Sequence, residues 1–122
     1  MKTNNLPTLT FASSEQWDAW LQANYTTDGI WIQMAKKSSG LPSISHDQAL
    51  DVALCYGWID GLRHGLDDTY FLQKFTPRRP KSNWSARNIA KAAALIEAGK
   101  MQPSGMAQVA KISQYTTLIR QR

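Results

Sequence analysis

The stretch from Ser45 to Gly61 constrains the fold more than any other part of the chain. Ser45-His46-Asp47-Gln48 is a capping box, in which the Ser hydroxyl and the Gln amide can each satisfy a backbone N–H of a helix start. Ala49, Leu50, Ala53 and Leu54 follow at helical spacing, and Gly57 stands where a left-handed C-terminal cap is expected. Trp58 then opens a strand with no intervening linker, so the helix must turn back onto a sheet.

The flanking segments fit this arrangement. Ser13-Ser14-Glu15-Gln16 offers a second hydroxyl cap, and Trp17, Trp20 and Leu21 share one helical face, predicting a helix from about Ser14 to Asn24. Residues 29 to 36 alternate as a strand does, with Ile30, Ile32 and Met34 on one side and Trp31, Gln33 and Ala35 on the other. Trp58 to Arg63 and Thr69 to Thr76 read as a hairpin stopped by Pro77 and Pro80. A third helix is expected from about Trp84 to Ala98, ended by Gly99, and a fourth, short one from Pro103. The order predicts an α+β fold, a small antiparallel sheet of about three strands packed with three to four helices. Residues 1–10 are expected as a flexible lead, 11–112 as a single domain and 113–122 as a disordered tail.

At 122 residues the chain can bury one core, and 43% hydrophobic with 19% charged residues is too apolar for a disordered chain. Cys55 is the only cysteine, which excludes an internal disulfide and suits a cytoplasmic setting. Neither a secretion signal nor a membrane span is expected, since the apolar run from Ile89 to Ala98 is short and broken by Lys91 and Glu97.

The net charge is +5 and unevenly distributed. Residues 1–73 carry four Lys or Arg against eight Asp or Glu, whereas 74–100 carry seven basic residues against Glu97 alone. Two readings stand: a basic surface for an anionic partner, or two halves that neutralise each other across their packing interface.

The densest candidate site is Phe75-Thr76-Pro77-Arg78-Arg79-Pro80-Lys81-Ser82-Asn83-Trp84-Ser85. Three cations precede a helix start, where unpaired N–H groups favour anions, and Trp84 could stack on a base or sugar. Ser85 and Asn88 lie in the first turn of that helix. The structural alternative has Ser82 or Asn83 capping the helix, the cations pairing with the acidic half and Trp84 filling the core. Asp60, between Gly57 and Gly61, is the best acidic candidate, with Trp58 beside it; otherwise it pairs with Arg63, Lys36 or a loop arginine. Cys55, in a last helical turn, reads as buried and inert. His46 and His64 lack metal-ligand spacing, so neither a metal nor a cofactor is expected. The five tryptophans read as core.

Glu15 to Leu21, Gly29-Ile30-Trp31-Ile32 with Lys36-Lys37, Ala53 to Gly61, Phe75 to Ser85 and Gly99-Lys100-Met101 together resemble the YdeI/OmpD-associated, or bacteriocin-protection, family of bacterial proteins. The resemblance spans about Phe11 to Ala110. Lys111 to Arg122 does not look like that family's longer C-terminus, so on the resemblance a shortened or divergent form is expected. It implies a site at Asp60 and the Arg78 to Trp84 loop but supplies no catalytic residues.

The leading expectation is a non-enzymatic cytoplasmic domain that binds an anionic ligand, phosphate-containing or nucleic acid, or an acidic protein through Arg78, Arg79 and Lys81. The alternative is a small enzyme acting on a phosphorylated or carboxylated metabolite, with Asp60 as general base. A homodimer pairing acidic and basic halves is the third reading.

Overall fold

The computed structural model describes residues 6–79 and 84–112. The elements are β1 (Thr8–Leu9), α1 (Ser14–Asn24), β2 (Ile30–Ala35), α2 (His46–Cys55), β3 (Trp58–Gly65), β4 (Tyr70–Pro77), α3 (Ala86–Glu97) and α4 (Pro103–Val109). The expected caps form: Ser13 Oγ accepts from Gln16 N, and Ser45 closes both halves of its capping box with Gln48. Gly57 takes φ +82°, and a Cβ there would lie 2.8 Å from the Ser104 carbonyl oxygen, so glycine is required by conformation and by crowding against α4.

The α+β class holds, and the sheet has four strands in the order β1-β2-β4-β3 rather than about three. It is also mixed, not antiparallel, because β1 pairs parallel to β2 (Thr8 with Trp31, Leu9 with Ile32). A helix between two strands carries the chain back to where it started, which makes the neighbours in β1-α1-β2 parallel. β4 inserts between β2 and β3, antiparallel to both. Thus Thr8–Leu9, inside the segment expected as a flexible lead, serves as an edge strand.

Ile30, Ile32, Met34, Trp58 and Phe75 project from one face of the sheet into a core completed by Phe11, Trp17 and Leu21 from the α1 side and by Ala49 and Ala53 of α2. α3 and α4 pack on α2, where Ile89, Ala92, Val109 and Ile112 form a second cluster. Part of the charge asymmetry is neutralised at this interface: Lys91 Nζ lies 2.8 Å from Asp51, and Arg87 lies 3.0 Å from Asp47. Of the five tryptophans, Trp17 and Trp58 are fully buried and Trp20 and Trp84 pack on the core clusters, whereas Trp31 lies on the opposite face of the sheet. The strict alternation of β2 dictates that placement.

Candidate functional site

β3 carries one residue more than β4 between the Asp60–Phe75 and Arg63–Gln73 pairs, so the strand bulges at Gly61-Leu62. Gln73, 2% exposed, fills the bulge from the core face by donating through Nε2 to the carbonyls of Gly61 (3.0 Å) and Leu62 (3.2 Å). Its Oε1 accepts from Arg63 Nε at 3.4 Å, and the Arg63 guanidinium lies 4.3 Å over the Phe71 ring. The bulge therefore sends Arg63 to the helix-covered face, where simple alternation from Asp60 would have sent it to the other.

Arg63 meets the start of α2 across a cleft of about 570 Å³. Met34, Leu41, Ile44 and Phe71 supply apolar walls; Lys36, Lys37, His46 and Arg63 supply basic groups; none of its lining residues among those described is a carboxylate. Ser43 shapes the connecting loop, its Oγ accepting from Ala35 N at 3.1 Å and donating to the Ile44 carbonyl at 2.9 Å.

His46, the first residue of α2, is joined through Nε2 to Asp60 Oδ2 at 2.9 Å. The hydrogen bond from His46 holds the Asp60 carboxyl below its ordinary value, with burial opposing and the charge of Arg78 adding to the effect. Arg78 is 6% exposed, its guanidinium 3.7 Å over the Trp84 ring. Burial lowers its pKa, and Asp60 partly restores it. Arg78 thus stacks on Trp84 and lies in the field of Asp60, while Asp60 takes a direct bond from His46, a partner the sequence reading did not weigh; none of Asp60, Arg78 and Trp84 lines the cleft. His46 is the residue that sequence reasoning missed; the signal was only that a helix N-terminus and the strand following that helix are neighbours.

The other expected site residues separate. Trp58 is 1% exposed and donates its Nε1–H to the Tyr25 carbonyl at 3.1 Å, so it is core and not ligand surface. Arg79 is exposed beside Lys74 and Thr76, apart from Arg78. Lys81 and Ser82 lie outside the described residues. Ser85, rather than Ser82 or Asn83, caps α3, its Oγ accepting from Asn88 N at 3.1 Å. Ser85→Ala is expected to cost about 1 kcal/mol, read as a shift in the urea midpoint with unchanged slope. Cys55 is buried, and desolvation together with Asp18 and Asp51 pushes its thiol up to about 11, the opposite of an activated nucleophile. Among the described residues no group of three or more His, Cys, Asp or Glu is placed to hold a metal, and no helix is long and apolar enough to cross a membrane.

The model of the family described as a domain of unknown function (DUF8412) matches residues 9–108, and the chain belongs to that family. No curated protein and no solved structure matches it.

Proposed function

For this member of that family we propose a binding function: the cleft between the end of β2, the start of α2 and the β3–β4 hairpin takes a small organic anion, a carboxylate or phosphate monoester on an apolar body. The observation that carries the reading is the lining itself, apolar walls of Met34, Ile44 and Phe71 under four basic side chains. Its volume falls within the roughly 300–1,000 Å³ of ligand pockets, and a few convergent polar groups over an apolar floor is their usual composition. Arg63, held by Gln73 and stacked on Phe71, supplies a preorganised fork for two oxygens of an anion. The Pro/Arg loop contributes indirectly, through Arg78 and its charge on Asp60.

Calorimetric titration with phenyl phosphate, benzoate and inorganic phosphate tests the reading. Phenyl phosphate is expected to bind more tightly than inorganic phosphate, because only it fills the apolar floor, and Arg63→Ala is expected to weaken it about tenfold. Equal affinity in the variant, or no saturable binding of either organic anion, overturns the assignment.

The 2.9 Å tie between His46 and Asp60 favours one second reading, acid–base chemistry at the cleft. A carboxylate held below its ordinary value is a weak base at neutral pH, so the proton-accepting role would fall to His46, with Asp60 positioning the ring. Kinship with the YdeI/OmpD-associated family and a cytoplasmic setting also belong to this proposal. They are supported by the resemblance of the segments around Trp17, Trp58, Asp60 and Arg78 to that family's motifs and by the single cysteine.

A further inference from the structure

The sheet has a second face, distinct from the cleft. Strand register places Trp31, Gln33, Leu72, Lys74, Thr76 and His64 on it, and none of these side chains enters either core cluster. The rings of Trp31 and His64 meet with centroids 4.9 Å apart and planes 32° from parallel, bridging β2 and β3 over β4. Lys74 Nζ lies 5.7 Å from the Trp31 ring centre. At one end of the face Arg79 joins Lys74 and Thr76 around a hollow of about 370 Å³, which Asp28 also lines. No strand position on this face carries Asp or Glu.

We propose that this face binds single-stranded nucleic acid, the Trp31–His64 ring pair stacking a base and Lys74 and Arg79 meeting backbone phosphates. Aromatic rings accept any base by its π-face, and neighbouring cations track the phosphates; that combination on a sheet surface is the physical requirement for a single strand. A duplex keeps its bases stacked on each other and offers the rings nothing. Lys74 on the strand and Arg79 just beyond it outnumber Asp28, the one carboxylate lining their hollow, and this excess of positive charge complements a polyanion and not a basic protein surface.

The test is fluorescence anisotropy of a labelled oligouridylate of about ten nucleotides, at about 50 and about 200 mM salt. The wild type is expected to bind saturably at low salt and to prefer the single strand over a duplex of equal length. Trp31→Ala is expected to weaken binding about tenfold or more, with Trp31→Phe intermediate and both variants checked for native circular dichroism. Lys74→Gln is expected to reduce the salt slope by about one, whereas Arg87→Gln, which removes the same charge from the helical side, leaves affinity unchanged. The proposal is overturned by absent binding at low salt, by wild-type affinity in the folded Trp31→Ala protein, or by equal losses in Lys74→Gln and Arg87→Gln. A self-association abolished by Trp31→Ala and not competed by the oligonucleotide would also overturn it and give the face to a second copy of the chain.

Discussion

Trp17→Ala is expected to destabilise the protein by about 3–5 kcal/mol, the usual cost of emptying a buried aromatic site. Trp17 is fully buried, and its ring centre lies 5.3 Å from that of Phe11, 5.7 Å from Trp20, 5.5 Å from Phe75 and 6.4 Å from Trp58. One side chain therefore touches its own helix, the preceding loop and two strands of the sheet. Its Nε1–H also donates to the Ala49 carbonyl of α2 at 2.9 Å, so the same substitution cuts the polar link between α1 and α2. Against a total stability of about 5–15 kcal/mol for domains of this kind, the loss is expected to leave a large unfolded fraction at moderate temperature. Urea unfolding followed by near-ultraviolet circular dichroism measures it. Trp17→Phe separates the two contributions, since it keeps an aromatic ring and loses the donor; it is expected to cost about 1–2 kcal/mol. A Trp17→Ala loss below about 1 kcal/mol would mean that the surrounding rings collapse into the space, and that they do not hold α1 on the sheet.

The local elements were legible because their signals are chemical and short-range. Ser13, Ser45 and Gly57 marked the ends of α1 and α2 through capping and a left-handed turn, and the alternation of β2 sorted its residues between the two faces. What the sequence left open depended on contacts between distant segments. Thr8–Leu9 is too short to alternate, so the parallel pairing that makes the sheet mixed has no local trace. The bulge at Gly61-Leu62 is fixed by Gln73 on the neighbouring strand and decides which face receives Arg63, and so whether the cleft gains a guanidinium beside Lys36 and Lys37. Arg78 and Arg79 are adjacent and look alike in the sequence, yet one is buried on Trp84 and the other is exposed. A run of cations therefore did not make a single surface. Trp31 was grouped with the core on residue type alone, although the β2 alternation had already placed it opposite Ile30 and Ile32.

Asp60→Asn is expected to cost about 1.5–3 kcal/mol at neutral pH, the range for a hydrogen bond that involves a charged group, and to lose that effect in acid. The carboxylate accepts from His46 at 2.9 Å and lies in the field of Arg78, and these interactions hold its folded pKa below the ordinary 3.8. A depressed carboxyl contributes stability that is fully present above its unfolded value and drains away as pH falls through the lower folded one. The amide has no such transition. Wild-type and variant stabilities are therefore expected to differ fully above about pH 4 and to converge only as pH falls through the lower folded value, when both proteins carry an uncharged group at this position. Asp47 and Asp67 are also held below their ordinary values, but they titrate alike in both proteins and cancel in the difference. Urea unfolding across pH gives the difference curve directly. His46→Ala should reproduce much of the loss, and the double variant should lose less than the sum of the two, because each single change already breaks the shared bond. A difference that stays constant into acid, or strict additivity of the two changes, would show that the pair is only adjacent. Convergence with non-additivity would establish that α2 and β3 are joined at the rim of the cleft by a charge-dependent contact, which also restrains the ring of His46, a residue that lines the cleft.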